Sequence, residues 1–322
     1  MISKEKLMFR RRAERELELY WNYAQRFIDE RCYREDMNDI WRFFFINPHI
    51  GLAVAKNYMI SDLKKRNLII QHMAEPKLSV IAAGVKGAGK TAFSFWAAEQ
   101  IHEKHGLNVC LFRPLDFNPE LLPKYFYFTW EREGIKPKSF IIYDEAAITL
   151  SSRRSMSKEN IDFSNFLFIQ RHSGNPALII QQVITTTDIN VFRMADWFIF
   201  KRIGSLQFER ETKENDPLYQ FLRFLKPLAK NEVLFISSGL DEIYFTTNPL
   251  PSFWSDELST VGKPLQSDDE AFEFAERLLR AGASPKQIKY LLEAKGRPLD
   301  IAEIKWLQNK TIGKSKKKKV RK

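Results

Sequence analysis

The chain has 322 residues, 44% of them hydrophobic, and 51 lysines and arginines against 40 aspartates and glutamates give it a formal charge of +11. This composition suits a soluble globular protein with one sizeable domain and a small one, and the two cysteines, Cys32 and Cys110, exclude a disulfide framework and stand in no metal-ligand spacing. No apolar run is long enough to cross a bilayer, because Arg42, Asn47, His49 and Lys56 interrupt the richest one, 41–60.

At the N-terminus, Lys4, Lys6 and Arg10 to Arg12 stand where a signal peptide needs an apolar core. A cytoplasmic, reducing setting is therefore expected, with Cys110 a small buried strand residue. Residues 1–73 carry helical patterning: Leu17, Tyr20, Trp21 and Ala24 share a face, and Arg10, Arg12, Glu14, Arg15, Glu16 and Glu18 occupy much of the remainder. The cluster Trp41, Phe43, Phe44 and Phe45 is expected to be core, since consecutive aromatics on a helix point all round and need burial. This helical region is assigned no chemistry.

A second unit, 74–262, opens with Leu78, Val80, Ile81, Ala82 and Ala83, a short apolar run suited to a buried parallel strand. The loop Gly84-Val85-Lys86-Gly87-Ala88-Gly89-Lys90-Thr91 follows, and a helix is predicted from Ala92 onward. The loop fits the P-loop pattern, in which glycines let backbone N–H groups turn inward and cradle phosphates at a helix N-terminus. ATP and Mg²⁺ are the expected cofactors, with Lys90 reaching the β- and γ-phosphates and the Thr91 hydroxyl on the metal. The bland reading is a glycine-rich turn between a strand and a helix.

Further strands are predicted at Asn108–Arg113, Phe140–Asp144, Ala177–Ile180 and Trp197–Arg202, and Glu232–Thr247 reads as a terminal β-hairpin. Alternation of strands and helices implies an α/β fold with a parallel sheet covered on both faces. Asp144 and Glu145 close an apolar strand in the manner of a Walker B pair: Asp144 would hold Mg²⁺ and Glu145 would polarise the attacking water. The polar stretch Ser151–Lys158 reads as a loop over the site, followed by a helix over Ile161–His172. Gln181 and Gln182 end the fourth strand, where a polar side chain is placed to sense the γ-phosphate; a solvated strand end is the alternative for Gln182. The amphipathic residues Leu218, Phe221, Leu222 and Leu225 predict an insertion helix, and Pro249, Pro251 and Gly262 to Pro264 a linker.

From 263 to 310 three short helices are predicted. Ala271, Phe274, Ala275, Leu278 and Leu279 form the first apolar stripe; Ser284-Pro285 starts a second helix bearing Ile288, Leu291 and Leu292; Asp300 with Glu303 caps a third bearing Ile301, Ile304 and Leu307. The trio looks like a helix-turn-helix whose last helix would offer Lys305, Gln308 and Asn309 to a DNA groove, with a protein-docking bundle as the alternative. Lys314, Lys316, Lys317, Lys318, Lys319, Arg321 and Lys322 supply seven of the eleven net charges. This tail, 311–322, is expected to be disordered with affinity for a polyanion such as nucleic acid, a solubilising or nuclear-address tail being the alternative.

The order GVKGAGKT, FIIYDE, RHSGNPALIIQQ and DINVFRMADWFIF resembles the FtsK/HerA superfamily of DNA-pumping P-loop ATPases, and the turn Arg171-His172-Ser173-Gly174 looks most like its zonula-occludens-toxin-type and viral packaging branches. The match covers about 76–250. It implies a RecA-like sheet of the additional-strand class and a ring, usually hexameric, around double-stranded DNA. It also implies an arginine completing the neighbouring subunit's site: Arg171, with Arg193 behind it. Genome packaging or DNA transfer is the implied setting, with a capsid, portal or other docking protein as partner. The zonula-occludens type usually carries a transmembrane segment, which this sequence lacks. The glycine loop equally fits helicase-loader ATPases of the AAA+ class, and an NTPase with an operator-binding helix-turn-helix is a third reading.

Overall fold

A computed structural model describes residues 15, 18–112, 121–143, 173–181, 194–202, 216–259, 265–280, 283–294 and 296–319. Its centre is an eight-stranded sheet built from β1 (Ser79–Ala83), β2 (Asn108–Phe112), β3 (Phe126–Thr129), β4 (Ser139–Tyr143), β5 (Ala177–Gln181), β6 (Trp197–Phe200), β7 (Glu232–Ser237) and β8 (Ile243–Thr247). The order across the sheet is β3-β2-β4-β5-β1-β6-β7-β8. The first six are mutually parallel, and the hairpin β7–β8 adds antiparallel to β6. Strand β5 lies between β1, which leads into the glycine loop, and β4, which leads toward Asp144. That inserted strand is what defines the additional-strand class.

The sheet is buried on both faces, so its strands are apolar throughout rather than alternating with polar residues. Alternate residues enter opposite layers: Ile81 and Ala83 pack with one set of helices, Val80 and Ala82 with the other. The first layer contains α1 (Trp21–Arg31), α2 (Met37–Ile46), α3 (Pro48–Tyr58) and α6 (Pro217–Arg223). The second contains α4 (Asp62–Ala74) and α5 (Lys90–His105). Ala24, Phe27, Phe44 and Val54 thus share a core with Ile81, Phe200 and Phe245. The N-terminal helices thus pack on the sheet, α1 to α3 in the first layer and α4 in the second.

Three details depart from the sequence reading. Strand β3 was not expected: it is a four-residue edge strand, too short for its alternation to stand out, and it pairs with β2. Phe45 is 52% exposed although burial was expected, because α2 offers one face to the core of the first layer and Phe43 and Phe44 take it, against Phe224 and Phe27. The last helix continues past the predicted end of the third helical signal.

After α7 (Asp256–Ser259), helices α8 (Asp268–Arg280), α9 (Pro285–Ala294) and α10 (Ile301–Lys319) form the C-terminal trio. Phe274, Ile288, Leu292 and Ile304 are its buried centre, and Trp130, just after β3, belongs to the same cluster, so the trio is seated at the β3 edge. Its caps are those the sequence predicts. Ser284 N–H donates to Gln287 Oε1 at 2.7 Å while Ser284 Oγ accepts from Gln287 N–H at 3.4 Å, and Asp300 N–H donates to Glu303 Oε2 at 2.8 Å. Helix α10 runs through Lys319, where disorder was expected from 311; lysine is a good helix former, and the helix continues on that propensity.

Candidate active site

Strand β1 ends level with the last residues of both neighbours: Ala83 pairs with Gln181 of β5 and with Phe200 of β6. The glycine loop leaves the sheet between those two strand ends. Gly87 and Gly89 hold φ of 77° and 85°, the left-handed region that a side chain strains, and Gly89 there caps α5. A Cβ placed on Gly87 meets nothing within 4 Å, so that face of the loop is open.

Lys90 is the first residue of the 16-residue helix α5. It is buried, and its ammonium bends back to donate to the Gly84 carbonyl at 2.7 Å and the Val85 carbonyl at 3.0 Å. Thr91 is half-buried beside it, and Lys86 is exposed on the loop. The first turn of α5 carries no acidic residue, so the positive end of the helix dipole faces the loop without a carboxylate to offset it. An open backbone cradle, an ammonium and a helix N-terminus are the donor set an oligophosphate needs, and the Thr91 hydroxyl would be a ligand for its metal. Nucleotide with Mg²⁺ fits these residues.

Gln181 is buried at the end of β5, adjacent in register to the residue that precedes Gly84. Tyr143, the last residue of β4, pairs with Ile179 of β5, so the chain emerges one strand away from the glycine loop just before Asp144. Asp144, Glu145, the stretches Ser151–Lys158 and Ile161–His172 with Arg171, Gln182 and Arg193 lie outside the described residues, as do Arg321 and Lys322. Gly84 to Thr91 and Gln181 thus gather at the C-terminal ends of two adjacent central strands. Lys305, Gln308 and Asn309 stand elsewhere, on α10: Lys305 and Asn309 are exposed and Gln308 is half-buried, while Ile304 and Leu307 beside them enter the trio core.

Residues with no motif signal also converge beneath the loop. Lys201, just after β6, is fully buried and donates to Asn248 Oδ1 at 2.8 Å. Glu232 at the start of β7 accepts from Arg31 Nη1 at 2.6 Å and from the Ala229 N–H at 2.7 Å. Burial disfavours the charge on both members of that pair, yet mutual bonding outweighs it, holding Arg31 above and Glu232 below their ordinary ranges. Lys201 departs the other way: burial pushes it down to about 8, with Glu232 opposing. Cys32 and Cys110 are pushed up to about 12 by burial, which makes them unreactive core residues.

No family model matches the sequence, and no curated protein matches it. Among solved structures, the chain is similar to the genome packaging NTPase B204 of Sulfolobus turreted icosahedral virus 2 in complex with ATP-gammaS, at 14% identity over 54% of this chain and 99% of that one, TM-score 0.42. It is similar also to the N-terminal domain of zonular occludens toxin from Neisseria meningitidis, at 14% identity over 55% and 96% of the two chains, TM-score 0.34. A third is the pCW3 conjugation coupling protein TcpA, at 13% identity over 57% and 62%, TM-score 0.39. By its own residues, with the glycine loop at the end of β1, Lys90 heading α5 and β5 inserted between β1 and β4, the chain has the fold of a P-loop NTPase of the additional-strand class.

Proposed function

We propose that this protein is an ATP-driven motor that moves double-stranded DNA, working as a ring of identical subunits, in genome packaging or DNA transfer from the cytoplasm. The observation that carries the reading is the Lys90 ammonium folded into an open glycine loop at the head of α5, one strand removed from the end of β4 that leads to an Asp-Glu pair. Backbone N–H groups of 84–91 bind the phosphates and Lys90 balances their charge. Thr91 and Asp144 hold Mg²⁺, which when bound screens the β- and γ-phosphate charge. Glu145 orients and activates water, Gln181 sits where the γ-phosphate is sensed, and Arg171 reaches a neighbour's site.

The DNA contacts fall on Lys305, Gln308 and Asn309 of α10 and on Lys314, Lys316 to Lys319, Arg321 and Lys322. A capsid, portal or other docking protein would orient the ring. ATP turnover with and without long duplex of random sequence tests the reading. A motor is expected to turn over faster on any duplex, in proportion to its length. Stimulation confined to one DNA site or to a partner helicase would instead place the protein among regulatory NTPases or helicase loaders.

A further inference from the structure

Lys201 occupies the point where the end of β6, the neighbour of β1, meets the glycine loop. Its backbone N–H donates to the Ala83 carbonyl at 2.9 Å, and the next carbonyl, that of Arg202, accepts from Val85 N–H at 3.0 Å. The side chain then runs along the floor of the glycine loop. A Cβ placed on Gly84 would stand 3.1 Å from Lys201 Cβ, and one placed on Gly89 would stand 3.8 Å from Lys201 Cε. The stem therefore spans the loop from its first glycine to its last. Its ammonium ends at the neutral Asn248 amide, 5.9 Å from the Phe93 ring centroid.

An ammonium buried against a neutral amide is costly unless something balances its charge. Among the described residues, Lys86 and Lys90 belong to the loop above it, Arg202 follows it in the chain, and Glu232 is the charged group that acts on it through space. Glu232 is the anion in this set, and it is already bonded to Arg31 and to the Ala229 N–H. Among the described residues that anion is therefore shared, and a further anion at the loop would balance the Lys201 charge.

We propose that Lys201 is a second cation of the phosphate site, held beneath the glycine loop so that a bound nucleotide's phosphates balance its charge. The proposal rests on the nucleotide-binding reading above. Lys201 is a positioning residue, acting through the loop backbone at Gly84 and Gly89. Because burial brings its titration to about 8, the ammonium is charged before nucleotide arrives below that pH. Above it, binding must draw in a proton, so affinity falls as pH rises, by at most about tenfold per pH unit.

ADP affinity of the full chain, measured by calorimetry from about pH 7.5 to 9.5, tests this; the range lies above the last phosphate ionisation, near about 6. Lys201→Met keeps the stem and removes the charge, and because it leaves the buried Asn248 Oδ1 without this donor, thermal melting checks that the variant is folded. It is expected to bind about tenfold more weakly at the low end and to lose the wild-type decline at the high end. Lys201→Arg, charged at every pH tested, is expected to bind without that decline. A folded Lys201→Met that keeps the wild-type affinity, or loses affinity while keeping the decline, overturns the proposal. Lys90→Ala separates the two ideas: if it too binds ADP like wild type, or wild type binds none, the nucleotide reading fails and the proposal falls with it. If Lys90→Ala loses binding and Lys201→Met does not, only the role of Lys201 fails.

Discussion

If Lys90 and Glu145 serve one reaction as proposed, the two residues should fail differently. Lys90→Ala leaves phosphate charge without its ammonium and should weaken nucleotide binding, whereas Glu145→Gln should bind normally and lose a hundredfold or more in kcat, on the order of what a general base contributes. Equilibrium binding beside steady-state turnover distinguishes the two, and full turnover in Glu145→Gln would remove that residue from its role. Glu232 makes a different kind of contribution. Burial opposes its charge, but the Ala229 N–H and Arg31 outweigh that and depress its folded pKa, so its stabilisation is present at neutral pH and lost as pH falls through that lowered value. Glu232→Gln should therefore be less stable than wild type by roughly 1–3 kcal/mol at pH 7, with the gap closing in acid. A gap that persisted in acid would mean the carboxylate's charge is not what matters there.

At the scale of elements, the glycine loop and its flanking strand and helix were legible because their signals are local: an apolar run, three closely spaced glycines and a lysine at the helix start. The hairpin β7–β8 and the C-terminal trio were legible for the same reason, through alternation and through the caps at Ser284 and Asp300. What stayed hidden depends on contacts between distant segments. Nothing near Lys201 in sequence announces that its stem lies beneath Gly84 and Gly89, and Arg31 meets Glu232 across 201 positions. Helix α10 also presents Trp306, 57% exposed, with the Lys310 ammonium 4.8 Å from its ring centroid, a feature that apolar patterning alone would assign to the core. The helix and the basic run should contribute separable parts of DNA affinity. Deleting 314–322 removes seven positive charges, so the slope of log affinity against log salt should become shallower by up to about six, for every sequence alike. Substituting Lys305, Gln308 and Asn309 should instead change which sequences are preferred and leave the slope nearly alone. Binding titrations across salt for both variants check this, and an unchanged slope after the deletion would make the trio a protein-docking module.

For the whole molecule, the N-terminal helices and the sheet form one three-layered body: Phe27 meets Phe44 at 6.4 Å and Phe245 of β8 at 5.4 Å between ring centroids. The Arg31–Glu232 pair joins the same layer to the strand that follows Lys230, whose carbonyl covers Gly89. The glycine loop is thereby linked to the outer helical layer through this pair. If Arg171 completes a neighbour's site, Arg171→Ala should bind ATP normally and lose roughly a thousandfold in hydrolysis, on the scale of arginine fingers. Mixing it with Glu145→Gln should restore part of the activity, because some junctions then hold one intact composite site. No recovery in a mixture shown to co-assemble would count against a shared site.

Movement along DNA is the central claim, and displacement of a triplex-forming oligonucleotide from a long duplex measures it without relying on turnover. The account predicts ATP-dependent release of the third strand from duplex of any sequence, after a lag that lengthens with the distance between the loading end and the triplex, and no release by Lys90→Ala. Undiminished ATP turnover on the same duplex with the third strand left in place would contradict it.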